Sequence, residues 1–125
     1  MSIPDRYHRQ RLLPGFAEEG QRRLAESSAV IVGCGALGTV IAESLTRAGV
    51  GRLVIIDRDI IELTNLQRQV LFDEGDAHDG TPKAVAAQRR LRQVNSSINI
   101  DAHVADFNAT NAERLIDGCD VIVDG

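Results

Sequence analysis

The chain has no Trp, only 3% aromatic residues and one Met among its 125 residues. A core without large rings must be built from Val, Ile, Leu and Ala, which suits short buried strands and close-packed helices better than an aromatic-rich barrel. There are two cysteines, Cys34 and Cys119, in no C-x-x-C pair. That spacing excludes a disulfide framework and a structural zinc site made by this chain alone. No apolar run is long enough to cross a bilayer, and Met-Ser-Ile-Pro-Asp-Arg carries no apolar leader core. A cytoplasmic protein with no membrane contact is expected. Positive charge is in deficit, with 14 Lys and Arg against 18 Asp and Glu. Bulk electrostatics therefore give no reason to expect a nucleic-acid partner. With 43% apolar and 26% charged residues, what remains is an ordinary globular chain of one domain or part of one.

What the sequence does have is Ala29-Val-Ile-Val-Gly33-Cys-Gly35-Ala-Leu-Gly38. An unbroken apolar run reads as a strand buried on both faces, and G-x-G-x-x-G at its end reads as a strand–turn–helix nucleotide fingerprint. Gly33 serves the tight turn, Gly35 the close approach of backbone to a phosphate, and Gly38 the packing of helix on strand. The amino end of the following helix then faces an anion. Leu53-Val-Ile-Ile is a second buried strand, closed by Asp57. Asp57 lies nineteen positions after Gly38 (57 − 38), where a Rossmann-type acid meets a ribose hydroxyl.

Before the first strand, residues 5–13 read as a basic helix with Asp5 as N-cap, stopped by Pro14-Gly15, and residues 16–25 as a second helix with Phe16, Ala17, Gly20 and Leu24 near one face. The five arginines of this stretch (Arg6, Arg9, Arg11, Arg22, Arg23) read first as a solvated surface. In the helix after Gly38, Leu37, Ile41, Leu45 and Ala48 form an apolar stripe toward the sheet, ended by Gly49 and Gly51. From Arg58 to Gly80 runs a long polar connection at the ligand edge of the sheet, holding Asn65, Arg68 and Gln69. Arg as a forked cationic donor, with Asn and Gln as neutral donors, suits a triphosphate. Phe72 to Gly80 reads as an acidic, mobile surface turn. Thr81 is placed as N-cap and Pro82 at N1 of the next helix, whose stripe is Ala84, Ala87, Leu91 and Val94. Lys83 then sits in the first turn, where a cation is disfavoured unless an anion shares that end. Residues 98–104 alternate as a half-exposed strand near an edge, residues 111–117 form a short helix, and Asp120–Asp124 a fourth strand.

The run of motifs resembles the ThiF/MoeB/HesA family, bacterial relatives of ubiquitin-activating enzymes. The resemblance rests on Arg6-Tyr-His-Arg9-Gln10, Gly33–Gly38, Asp57-x-Asp59, Asn65-Leu-Gln-Arg68-Gln69, Lys83 and Asp120–Asp124. The glycine motif alone is a weak signal; the block from Asp57 to Gln69, with Arg9 before it and Lys83 after it, is specific. It implies ATP and Mg²⁺, and adenylation of the C-terminal carboxylate of a small ubiquitin-like or sulfur-carrier protein ending Gly-Gly, with release of pyrophosphate. By position it implies that Gly33, Gly35, Gly38, Asp57, Asp59, Asn65, Arg68, Gln69 and Lys83 hold the nucleotide, Asp57 at the ribose. Arg68 and Lys83 would also carry the charge developing at the α-phosphorus. Arg9 would act in the site of a partner subunit, which implies a homodimer, while Arg6 and Arg11 stay solvated. Adenylation needs no side-chain nucleophile, and Cys34 and Cys119 read as packing residues. The family's metal-binding Asp falls just beyond Gly125.

The expected fold is α/β: a Rossmann-like, mostly parallel sheet in the order 3-2-1-4 with helices on both faces, preceded by two N-terminal helices. Residues 1–27 are read as a helical arm and residues 28–125 as the N-terminal part of an ATP-binding adenylation domain, truncated relative to the family, with little adenylation activity expected of the chain alone. Two other readings remain open at this level: an NAD-dependent oxidoreductase, which explains the glycines and Asp57 but not Arg9, Asn65–Gln69 or Lys83, and a nucleotide-binding fragment without turnover. The acyl acceptor, whether carrier protein, peptide or tRNA, is not specified by these residues.

Overall fold

Two apolar runs with no polar alternation have to be covered on both faces, and parallel strands are the arrangement that allows it. The computed structural model describes residues 5–125. Its strands are β1 (Ser28–Val32), β2 (Arg52–Ile56), β3 (Asn99–His103) and β4 (Val121–Asp124), all parallel in the order β3-β2-β1-β4. The expected order, the edge position of β3 and the helices on both faces are therefore all present. Successive residues of β1 and β2 serve opposite cores. Ala29, Ile31, Leu53, Ile55 and Ile100 pack with α3 (Ala36–Ala48) and α5 (Lys83–Val94) through Ala42, Ala84, Ala87 and Leu91. Val30, Val54 and Ile56 pack on the other side with Phe107, Cys119 and Leu115 of α6 (Ala112–Ile116).

Strand register decides where the chemistry can sit. Val32 pairs with both Ile56 and Asp124, and Ile56 pairs with His103. The carboxyl ends of all four strands are thus level, and Gly33, Asp57 and the loop after His103 meet at one edge.

The stripe of α3 is offset from the expected one. Its buried residues are Gly38, Thr39, Ala42 and Thr46, while Leu37 is 59% exposed and Ile41 and Leu45 are half-buried. The period of four is right but the face is rotated by one residue, about 100°. Small residues win the inward face because a Cβ at Gly38 would collide with the carbonyl oxygen of Gly33, so helix and loop touch backbone to backbone. The segment from Phe72 to Gly80 is not a mobile turn: Glu74–Asp79 form α4. Asp73 accepts from the amide of Asp76 at 2.9 Å while Asp76 accepts from that of Asp73 at 3.1 Å, a reciprocal cap built from two aspartates. Arg89 of α5 donates to Asp76 at 2.6 Å, and Leu71 and Phe72 anchor the segment in the core. Thr81 does not cap α5; the helix starts one residue later, with Pro82 in the cap position and no side-chain cap bond.

The N-terminal helices are shorter than expected. A 3₁₀ turn (Asp5–Tyr7) leads into α1 (His8–Arg11), and α2 spans Ala17–Ala25. The cap assigned to Asp5 lies outside the described side chains. The inward face of α2 is polar: Gln21 is its buried residue, with Phe16 and Leu24 only half-buried. The reason is the carboxyl end of α3, whose last carbonyls have no helical partner. Gln10 and Gln21 donate to the Ala48 carbonyl at 2.9 and 3.0 Å, and Gln10 also donates to the side-chain oxygen of Gln21 at 2.7 Å. Asn95 donates to the Thr46 carbonyl at 2.9 Å and to the Tyr7 hydroxyl at 2.7 Å. Tyr7, Gln21 and Asn95 are all buried, so this is a buried polar network at the end of α3, in which the Thr46 hydroxyl alone has no partner among the described residues. Replacing Asn95 by Ala leaves the buried Tyr7 hydroxyl without its donor and the Thr46 carbonyl with the Gly49 amide alone. Urea denaturation is expected to show a loss of about 2 kcal/mol, whereas the exposed neighbour Gln93→Ala stays within about 0.5 kcal/mol.

Candidate functional site

At the level edge of the sheet the glycine loop turns back through Gly33, whose φ of +94° is a left-handed conformation. Its amide donates to the Ile56 carbonyl at 2.8 Å. The next amide, of Cys34, donates to Oδ2 of Asp57 at 2.7 Å. The other oxygen of Asp57 accepts from the amide of Asp59 at 2.7 Å. One carboxylate therefore ties the loop after β1 to the loop after β2, with its remaining lone pairs facing the crevice between them. Gly35 stands at the amino end of α3, which no side chain caps and which carries no acid in its first turn. Those first-turn amides and the positive end of the helix dipole make an anion site.

A cleft of about 280 Å³ is lined by Asp59, Ile60, Glu62, Asn65 and Lys83. A 3₁₀ turn (Leu63–Asn65) supplies Asn65, which is buried, with its side-chain oxygen taking the Glu62 amide at 2.8 Å. Its NH₂ group has no partner among the described residues and is the donor left for the cleft. Lys83 is first in α5, anchored by its own amide to the Asp59 carbonyl at 2.9 Å. Its side chain is buried, and no hydrogen bond or ion pair holds its ammonium among the described residues. A buried cation without a counter-ion is costly, so this end of the cleft favours an anion. Gln69 is 3% exposed, and its side-chain oxygen has no hydrogen-bond partner. Its NH₂ nitrogen lies 3.8 Å from the space a side chain would fill at Gly35, so this amide borders the glycine loop.

The structure brings together Gly33, Gly35, Gly38, Asp57, Asp59, Asn65, Gln69 and Lys83. It does not bring in Arg68, which is exposed and turns back to the Thr64 carbonyl at 3.0 Å. Nor does it bring in Arg9, which is exposed on α1. That helix is clamped at the carboxyl end of α3, thirteen residues or about 20 Å from the glycine loop. Sequence reasoning missed a second cleft of about 170 Å³, lined by Asp57 together with Val32, Gly33, Ile56, Arg58, Asp59, Ala105, Asp106 and Phe107. The usable signal was register: residues just past His103 had to meet those just past Ile56.

Cys34 is fully buried within the glycine loop. Burial above all, and then the charge of Asp57, push its thiol up to about 12, against a weaker pull from Lys83. It stays protonated at neutral pH and has no nucleophilic role.

The chain matches the ThiF family over residues 7–125. It is 50% identical over 119 residues to the sulfur carrier protein ThiS adenylyltransferase of Bacillus subtilis, covering 95% of this chain and 35% of that protein. It is 42% identical over 120 residues to the sulfur carrier protein adenylyltransferase of Thermus thermophilus, covering 96% and 44%. The chain thus spans less than half the length of these curated relatives. Among solved structures, the E. coli tRNA N6-threonylcarbamoyladenosine dehydratase TcdA, in complex with ATP, superposes with a TM-score of 0.90 at 26% identity, over 100% of this chain and 52% of that one. At about pH 8, a short pulse of iodoacetamide on the folded chain is expected to alkylate the half-buried Cys119 and leave Cys34 unmodified, with both reacting in denaturant. Peptide mass spectrometry checks this.

Proposed function

Because this chain belongs to the ThiF family, we propose that it carries the ATP site of an adenylyltransferase acting on the C-terminal carboxylate of a small ubiquitin-like or sulfur-carrier protein. The observation that carries the reading is the buried, unpaired ammonium of Lys83 in one cleft with the free NH₂ of Asn65, beside the uncapped amino end of α3. Three cationic or donor features converging on one small volume are matched by a phosphate chain. Asp57, already fixed by two backbone amides, offers its spare lone pairs to the ribose hydroxyls. An NAD-dependent reading uses the same glycines and Asp57, but gives no part to Asn65–Gln69, Lys83 or Arg9.

In the proposed reaction a carboxylate oxygen of the carrier attacks the α-phosphorus. The bond from that phosphorus to the bridging oxygen breaks, and pyrophosphate leaves with its electron pair, giving an acyl-adenylate. Nucleophile and phosphate are both anions, so the protein's task is positioning and charge neutralisation. Lys83 and the amino end of α3 supply this from within the chain. Arg68 joins by releasing the Thr64 carbonyl and swinging toward the cleft. Arg9 acts in the site of a second copy, because its own site is at the opposite end of α3; a homodimer follows. Gln69 lends its amide to the glycine loop or to the phosphates next to it. Mg²⁺ enters this reading only as the counter-ion of the triphosphate. Among the described residues no three His, Cys, Asp or Glu side chains gather to hold a metal, so the residues present do not form a cage for it. A cytoplasmic setting completes the proposal, in keeping with two free thiols.

Thermal melts separate the nucleotide readings, since a ligand that binds only the folded state raises Tm. ATP is expected to raise it and NAD to leave it unchanged. Lys83→Ala should weaken ATP at least tenfold, on the order of a lost charge-assisted hydrogen bond. A stabilisation by NAD equal to that by ATP would count against the reading. Mixing an Arg9→Ala chain with a Lys83→Ala chain should restore on the order of a quarter of the sites, measured as pyrophosphate exchange. No recovery on mixing would exclude Arg9 acting between copies.

A further inference from the structure

Arg9 is exposed and makes no hydrogen bond or ion pair among the described residues, yet the chain on either side of it is fixed to the body of the molecule. Two residues before it, the Tyr7 hydroxyl accepts from the buried side-chain amide of Asn95 at 2.7 Å. One residue after it, the side chain of Gln10 donates to the Ala48 carbonyl at 2.9 Å and to the side-chain oxygen of Gln21 at 2.7 Å. Arg6 adds an exposed tie to the Val94 carbonyl at 3.3 Å. These bonds all end at the carboxyl-terminal turns of α3 and α5 or on the groups packed there. The seat is close-fitting. Gly49, at a φ of +94°, leaves no room for a Cβ, which would lie 2.7 Å from the Tyr7 ring and 2.8 Å from the Gln21 amide.

Capping α3 does not require both Tyr7 and Gln10. The Ala48 carbonyl also has the amide of Gln21, and the Thr46 carbonyl has those of Asn95 and Gly49. What Tyr7 and Gln10 add is the placement of α1. A helix of four residues has no stability of its own, so α1 keeps its direction only through these bonds. The rigid body they join it to is α3, whose other end is the uncapped, anion-facing one, about 20 Å away. In a two-fold pair of copies, an arginine that crosses to the other copy's glycine loop is matched by the reverse crossing. Both crossings are then set by one fixed length.

We propose that Tyr7 and Gln10 are positioning residues, which latch α1 to the carboxyl end of α3 so that Arg9 is presented, already aimed, to the phosphates in the site of a second copy. The inference rests on the reading of Arg9 given above and deepens it by naming the groups that aim it. An arginine on an unanchored turn has to be ordered at each binding event, and anchoring its backbone beforehand removes that part of the entropy loss. Tyr7 and Gln10 therefore act on the nucleotide only through Arg9.

Calorimetric titration of the 125-residue chain with ATP tests this. The variants are Arg9→Ala, Gln10→Ala, Tyr7→Phe and the doubles Arg9→Ala/Gln10→Ala and Arg9→Ala/Tyr7→Phe, with sedimentation velocity on the same samples. Tyr7→Phe keeps the ring in its seat, and Gln10→Ala leaves Gln21 on the Ala48 carbonyl, so both are expected to fold, which circular dichroism checks. Arg9→Ala is expected to weaken ATP about tenfold, as the loss of a charge-assisted hydrogen bond does. Gln10→Ala and Tyr7→Phe should each weaken ATP about threefold when Arg9 is present and have no effect when it is absent, with the dimer unchanged throughout. Losses that add in the doubles, ATP affinity untouched by both single variants, or affinity lost only in step with dissociation of the dimer would each overturn the latch and leave the reading of Arg9 standing. Arg9→Ala that binds ATP as wild type does, or a wild-type chain that binds ATP as a monomer, would overturn both.

Discussion

The carboxylate of Asp57 is the constraint on which the edge of this molecule depends. It takes the amide of Cys34 on one oxygen and the amide of Asp59 on the other, and the carbonyl of Asp59 in turn takes the amide of Lys83. Three hydrogen bonds thus connect the loop after β1, the loop after β2 and the first residue of α5. Each loop would otherwise carry free amides at a water-filled edge. With the tie in place, the phosphate-facing end of α3, the ribose-facing acid and the buried ammonium hold a common frame. A preorganised frame of this kind is what charge stabilisation at a phosphorus requires.

The two ends of α3 are treated in opposite ways. At its carboxyl end the carbonyls of Thr46 and Ala48 are taken up by the amides of Gln10, Gln21 and Asn95, leaving that end closed and structural. At its amino end no side chain intervenes. The N-terminal helices are held by the closed end, which accounts for a polar inward face on α2 where an amphipathic pattern would predict an apolar one. The same attachment keeps Arg9 away from the crevice of its own chain. A residue with a catalytic part to play from that position has to play it in another copy.

Much of the fold was legible because it follows from periodicity. The buried runs at Ala29 and Leu53 and the strand order survive in the structure; of the alternation from Ile98 to Val104 only the first part does, since Ile98 and Ile100 are buried around exposed Asn99 but Asp101, Ala102 and His103 are alike half-buried and Val104 is exposed. The departures share a cause: each was settled by a partner distant in sequence. The stripe on α3 is offset by one residue because Gly38 has to meet the carbonyl of Gly33, and a helical wheel holds no information about that contact. Asp73 and Asp76 make a helix from a stretch whose composition reads as a turn, and Arg89 of the next helix holds it. Lys83 was placed in a first turn correctly, but its burial came from the packing of the loop after β2. Of the site residues, those on the glycine loop and at Asp57 were readable from spacing. The positions of Arg68 and Arg9, turned away from the cleft and at the far end of α3, were not.

By itself the sequence determined the alternation of strand and helix, the nucleotide fingerprint, and the residue types that can meet a phosphate, because these depend on local backbone preferences and on short, regular spacing. Only the tertiary structure decided which of those residues share a cleft, which carbonyls the arm protects, and that a second cleft is lined by Asp57 with Arg58, Asp106 and Phe107. Those outcomes depend on strand register and on hydrogen bonds between segments tens of residues apart. Such contacts form only when the whole sheet has assembled, and no local pattern encodes them.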